Sequence, residues 1–294
     1  MRYTKNCLQT GVLHMHRGER TEKLSGCNGF EQYYSSLYGG RWAGLKVSLS
    51  EEPAYAEWNA GGSESYFLDA ASVRAAVSLP LTGAERVLDL CAAPGGKTLV
   101  LASLMSESAY LSSNERSPER KNRLLRVCDS CLPEDIRSRV TVTCSDGAKW
   151  CTTRSECYDA VLLDAPCSSE RHVLSDPRYL SQWTPSRIKT VAMEQWALVS
   201  SAYRMLIPGG FLLYSTCALC PAENDGIIDR LIKKFDTAVP DQGNTFPAYD
   251  KNKVRSFCTA SLPDAEKTTY GWLILPDIQN HAGPIYFSLI RKRI

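Results

Sequence analysis

The stretch VLDLCAAPGGKT, residues 87–98, runs from an apolar strand-like segment ending in an acid, through a Pro-Gly-Gly turn, into a helix that starts near Lys97. Gly95 and Gly96 let a ligand approach the backbone closely, and the turn leaves the first helix amides facing it. Two common phosphate-binding loops are excluded. A P-loop requires G-x-x-x-x-G-K-S/T, and Cys91 stands where its first glycine must be; the dinucleotide fingerprint G-x-G-x-x-G is absent. What fits is a nucleoside-type ligand without a pyrophosphate.

Six further strand-like runs follow: SAYLSSNE (108–115), RVTVTCSD (139–146), YDAVLLDAPC (158–167), GGFLLYSTC (209–217), GWLILPD (271–277) and PIYFSLIRK (284–292). Helical stretches separate them, which predicts an α/β chain with a mostly parallel sheet covered on both faces. YFLDAASVRAAVSLPL (66–81) reads as a helix. TPSRIKTVAMEQWALVSSAYRML (184–206) is the clearest one, with Thr184 as N-cap, Pro185 at the first helical position and a mostly apolar stripe that includes Gln195. Before it, the polar and aromatic loop ERHVLSDPRYLSQW lies at a strand's carboxyl end, where such sheets bind ligands.

Strand-end acids identify the ligand further. Glu115 closes the second run, where an acid accepts hydrogen bonds from the two ribose hydroxyls in related sheets. Asp146 closes the third and is placed to accept from an adenine amino group. The ordered series of strand ends points to S-adenosylmethionine.

LDLCAAPGGKT, DAPCSS and YSTC, in this order, resemble the motifs of the Nol, Nop and Sun family of RNA cytosine-5 methyltransferases. The likeness covers about residues 66 to 294 and is greatest to the short mitochondrial members, through YYSSLYGGRWAGLKVSL, LDAAS, VTCSDGAKW, SSERHVL and WLILPDIQNHAGPIYFSLIRK. It implies a Rossmann-like class I methyltransferase, with a seven-stranded mostly parallel sheet, helices on both faces and a C-terminal antiparallel hairpin. It also implies that Gly95, Gly96, Lys97, Glu115, Arg120, Asp146, Gly147 and Asp164 contact the cofactor, with the backbone of Cys91, Ala92, Ala93 and Pro94. Arg120 enters on the resemblance alone.

Cys167 and Cys217 follow two strand ends. Carbon 5 of cytosine is a poor nucleophile, and a thiolate adding to carbon 6 turns it into an enamine-like centre able to accept a methyl group. A carboxyl group near ring nitrogen 3, such as that of Asp164, helps the addition. One cysteine attacks and the other assists release, and the residues alone leave the roles open. The resemblance makes Cys217 the nucleophile and Cys167 the release residue, the reverse of DNA cytosine-5 methyltransferases, where the Pro-Cys cysteine attacks. The target base has to be unpaired or flipped out.

The rest of the chain bounds the setting. Its 294 residues are 44% apolar and 22% charged, the composition of a globular protein, and a net charge of +2 argues neither for nor against RNA. Twelve cysteines scattered through apolar segments fit a reducing compartment, with Cys144 and Cys157 expected as core fillers. Two C-x-x-C pairs, Cys128/Cys131 and Cys217/Cys220, have zinc-ligand spacing, but packing explains them better and no metal is expected. No run is long and apolar enough for a membrane span. Residues 1–65 read as a small helical or irregular region, with a partial transit peptide at 1–20, and 66–294 as the methyltransferase domain.

The resemblance further implies a mitochondrial matrix location and a small-subunit ribosomal RNA substrate. A mitochondrial transfer RNA is the alternative, and a transcription-termination-factor-like protein is a candidate partner. Two rival classes are a non-catalytic RNA-binding assembly factor and a methyltransferase acting on protein or a small molecule; neither accounts for the cysteine pair. Arg171, His172 and the terminal RKR are candidate RNA contacts.

Overall fold

A computed structural model describes residues 24–241 and 249–294, so the segment read as a transit peptide lies outside the described residues. In chain order the elements are α1 (Gly26–Tyr38), α2 (Trp42–Ser50), β1 (Tyr55–Trp58), β2 (Tyr66–Asp69), α3 (Ala70–Ala76), β3 (Arg86–Asp89), α4 (Gly96–Leu104), β4 (Tyr110–Glu115), α5 (Pro118–Cys131), α6 (Glu134–Arg137) and β5 (Val140–Cys144). Then come β6 (Tyr158–Asp164), α7 (Glu170–Ser175), α8 (Pro177–Ser181), α9 (Pro185–Met205), β7 (Leu206–Thr216), α10 (Asp225–Lys234), β8 (Ala238–Pro240), α11 (Lys251–Arg255), β9 (Glu266–Lys267), β10 (Trp272–Ile274) and β11 (Ile285–Lys292).

The main sheet has the order β5-β4-β3-β6-β7-β11-β10-β9, with β8 paired to β11. β3 to β7 are parallel; β11 runs antiparallel to β7 and to β10. The seven runs read from the sequence all form strands of this sheet, and β8 and β9 extend it to nine strands. After β5 the chain crosses back to place β6 on the other side of β3, and this reversal opens a crevice at the strands' carboxyl ends.

Central strands are apolar throughout because both faces are covered. Ala160 and Leu162 of β6 point into a core shared with α3, α4 and α5, while Val161 and Leu163 point into one shared with α1, α2, α9 and α10. The aromatic N-terminal segment supplies that second core. Phe30 packs edge-on to Trp183 at 5.5 Å, and Tyr34 stacks on Trp42 at 5.3 Å.

Two readings change. Residues 66–69, expected as the start of a helix, form β2, which pairs with β1 from Tyr55↔Asp69 to Trp58↔Tyr66; helix begins only at Ala70, where the Asp69 carboxylate caps the Ala71 amide at 2.7 Å. Arg171 is not free for RNA. Its guanidinium donates to the carbonyls of Leu49 (3.1 Å) and Glu51 (2.5 Å) at the end of α2, and to those of His281 (3.1 Å) and Gly283 (2.7 Å). It satisfies helix-end carbonyls that have no partner within the helix. Arg171→Ala should therefore destabilise the chain by about 2–4 kcal/mol, since several charge-assisted bonds are lost and some carbonyls rehydrate; urea unfolding would measure this.

The terminal basic run is likewise engaged with protein. Lys292 donates to the Leu206 carbonyl and Arg293 to that of Asp236. His172 is exposed against the Tyr179 ring.

Candidate active site

Strand register brings the two cysteines together. β6 and β7 pair with Asp164 opposite Ser215; Cys167 lies three residues beyond the first and Cys217 two beyond the second. Their sulfurs are 2.7 Å apart, as free thiols, and Cys217 Sγ is 3.5 Å from Ser169 Oγ. Cys167 is held well above the usual thiol range, first by its hydrogen bond to Cys217 and then by burial, so it stays a protonated thiol.

Lys97, from the first turn of α4, reaches Asp164 at the end of β6. Its ammonium donates to Asp164 Oδ2 at 2.7 Å and to Ser72 Oγ at 3.2 Å, while Ser215 donates to Asp164 Oδ1 at 2.7 Å. Burial pulls the lysine down, but the charge and hydrogen bond of Asp164, with the charge on Cys217 and Asp89, outweigh it and hold Lys97 above its ordinary value. A cation therefore stands within electrostatic range of Cys217.

Next to the cysteines is a cleft of about 320 Å³, within the range of small-molecule sites. Cys91, Ala93, Glu115, Arg120, Asp146, Gly147, Asp164, Cys167 and Cys217 all line it. Glu115 is buried, with one oxygen accepting from the Ser117 amide at 2.9 Å and the other 3.3 Å from Arg120, whose Nη2 donates to the Ala93 carbonyl at 2.6 Å. Asp146 caps the Ala148 amide at 3.1 Å, ahead of a short 3-10 turn at residues 147–152. Ala92, Pro94, Gly95, Gly96 and Lys97 are not part of this lining.

The glycines of the turn also meet a packing requirement. Gly95, at φ +123°, would place a Cβ 2.9 Å from Val127, and Gly96 would place one 2.9 Å from Tyr66. Their lack of a side chain lets α4 pack against α5 and β2. Cys144 departs from expectation: it is exposed, and Cys157 is only partly buried. Among the described residues no group of three or more His, Cys, Asp or Glu side chains is placed to hold a metal ion, and no helix is long and apolar enough to cross a membrane.

Sequence reasoning missed several residues here. Asp89, at the end of β3, is fully buried; Thr98 donates to its Oδ2 at 2.7 Å while Oδ1 has no partner, and burial pushes its carboxyl up to about 7. Glu170, Gln195 and Glu223 are buried beneath the cysteine loops. Gln195 gave a visible signal, an amide on the apolar stripe of α9, where a polar side chain needs a buried partner.

The family model described as 16S rRNA methyltransferase RsmB/F matches residues 76–269. Among curated proteins, the chain is 34% identical over 234 residues to 5-cytosine rRNA methyltransferase NSUN4 of Xenopus laevis, covering 78% of this chain and 56% of that one. It is 32% identical over 233 residues to the mitochondrial tRNA (cytosine(34)-C(5))-methyltransferase of Danio rerio, covering 77% and 60%. The chain thus spans somewhat over half the length of the curated relatives it matches. Its fold is shared with a methyltransferase homolog protein from Pyrococcus horikoshii, at a TM-score of 0.66 and 21% identity over 90% of this chain and 95% of that one.

Proposed function

The chain belongs to the RsmB/F methyltransferase family, and on that premise we propose that it methylates carbon 5 of a cytosine in RNA, using S-adenosylmethionine, through a covalent bond between Cys217 and carbon 6 of the base. The observation that carries this reading is the pair of free thiols on adjacent strand ends, beside a partly buried Lys97–Asp164 ion pair and at the rim of a cleft lined with acids. A non-catalytic binding module has no use for that arrangement.

The cleft suits the cofactor. Glu115 offers a buried carboxylate for two ribose hydroxyls, Asp146 has an oxygen free of its Ala148 cap, and the Cys91–Ala93 backbone closes one wall. S-adenosylmethionine supplies an electrophilic methyl group when bound. Cys217 adds as thiolate to carbon 6, and the proton its thiol gives up passes by way of the Asp164 carboxylate to ring nitrogen 3. Once carbon 5 is methylated, its proton leaves to water and the freed electron pair expels Cys217. The Cys167 thiol donates its hydrogen bond to the departing sulfur. The resemblance to the family is what supports this order of roles, with Cys217 attacking and Cys167 assisting release.

Small-subunit ribosomal RNA of the mitochondrion is the first substrate, supported by the ribosomal RNA relatives, and a mitochondrial transfer RNA the second, supported by nearly equal identity to the Danio rerio protein. The location follows as the mitochondrial matrix. RNA affinity comes from the folded RNA or from a partner protein. The test is transfer of a labelled methyl group to transcripts of both RNAs, followed by nuclease digestion. Label in 5-methylcytidine supports the reading; label in any other nucleoside, or in protein, overturns it.

A further inference from the structure

Beneath the two cysteines, the loops that carry them exchange carboxylates. Glu223, from the Cys217 loop, accepts the backbone amide of Ser168, next to Cys167, at 2.9 Å. Glu170, from the Cys167 loop, accepts the amide of Leu219, two residues past Cys217, also at 2.9 Å. Both acids are fully buried. Gln195 of α9 completes the tie, with Nε2 donating to the Pro166 carbonyl and to Glu223 Oε2, each at 2.9 Å.

Hydrogen bonding within this layer is uneven. Glu170 also receives the hydroxyls of Tyr34 and Ser168, so both its oxygens are satisfied as an anion. Glu223 Oε1 and Gln195 Oε1 are buried with no partner, although their side chains are already joined through Nε2 and Oε2. The Pro166 carbonyl fixes which way the amide points, so flipping Gln195 only moves the deficit. Two orphaned acceptors on two joined groups lack one donor, and a proton on Glu223 Oε1, directed at Gln195, supplies it.

We propose that Glu170 and Glu223 are positioning residues that hold Cys167 and Cys217 at reacting distance by a reciprocal carboxylate clamp, Glu170 as the anion and Glu223 as the neutral acid. This deepens the methyltransferase reading, and the role of the clamp in catalysis rests on it.

The surroundings are consistent with a single negative charge. Glu223 faces Glu170 from α7, Cys167 from the neighbouring loop, Tyr33 and Tyr34 from α1, Tyr214 from β7 and Cys220 on its own loop. The tyrosines and cysteines are all held above their ordinary values and stay neutral. Burial, and then the charge of Glu170, push the Glu223 carboxyl up to about 7. The neutral form is therefore present below that value and lost as pH rises through it.

The test reads sulfur positions apart from catalysis. Full-length protein is treated with diamide, which takes two electrons and two protons from a thiol pair, and the Cys167–Cys217 disulfide is followed by peptide mass. Glu223→Ala should slow its formation about tenfold and lower kcat for methyl transfer by about 100-fold at little change in KM, the scale of a displaced reacting group. Glu223→Gln, which keeps the acceptor for Ser168 and adds a donor for Gln195, should recover most of both losses and abolish the alkaline decline of the wild-type rate. Gln195→Ala should slow the disulfide in the same direction while the fold is retained by circular dichroism. A Glu223→Gln protein as impaired as Glu223→Ala, or wild-type disulfide rates in Glu223→Ala and Gln195→Ala, would overturn the clamp. Disulfide rates in the expected order with no methyl transfer by the wild type would support the clamp and reject the methyltransferase reading alone.

Discussion

Cys217→Ala is expected to lower methyl transfer by on the order of 10⁴-fold or more, with RNA and cofactor binding retained, as losses of this size follow removal of a covalent nucleophile. On the proposed assignment Cys167 assists release and does not take over the attack. Cys167 is the nearest sulfur and is hydrogen-bonded to Cys217, while burial pushes up the thiol of Cys91 in the cleft wall. The change itself is small in volume and Cys217 is only partly buried, so folding should survive. Single-turnover rates with labelled cofactor, beside equilibrium binding of both ligands, separate loss of chemistry from loss of structure. Unaltered turnover in Cys217→Ala would remove this residue from the mechanism.

Lys97→Met is expected to cost about 10²–10³-fold in methyl transfer, the effect of deleting one preorganised charge from an active site. It also leaves the Asp164 carboxylate with Ser215 as its hydrogen-bond donor and without its counter-ion. Because Asp164 is 35% exposed, water compensates in part and the stability loss should stay near 1–2 kcal/mol, well below that of a fully buried pair. Since Asp164 and its neighbours hold Lys97 above its ordinary value, the ion pair's stabilisation is complete at neutral pH. It is lost only as pH rises through the lysine's folded value. Alkylation of Cys217 by iodoacetamide at neutral pH should slow in parallel with methyl transfer. A variant with full alkylation and transfer rates would show that the cation plays no part in activating the sulfur.

The strands were legible because both faces of the sheet are covered, so β3, β6 and β7 appear as continuous apolar runs ending at Asp89, Asp164 and Thr216. β8 and β9, of three and two residues, carry no periodicity to read. β2 was hidden because its tetrad YFLD leads without a break into the alanine-rich α3. In the site, residues fixed by local chain geometry were readable: the strand-end acids and the two cysteines come from consecutive strand ends. Arg171 and the Glu170–Glu223 exchange depend on chain segments far apart in sequence, such as Ser168 and Glu223, whose positions differ by 55. Only Gln195, polar on an apolar stripe, betrayed that layer in advance.

The most direct measurement of the central claim is an SDS-stable protein–RNA adduct, assayed with S-adenosylmethionine and RNA for the wild type, Cys167→Ala, Cys217→Ala and the double variant. Attack by Cys217 with release aided by Cys167 predicts that Cys167→Ala accumulates the adduct, and that Cys217→Ala and the double variant form none. An adduct that persists in Cys217→Ala and disappears in Cys167→Ala would contradict the assignment and exchange the roles of the two sulfurs.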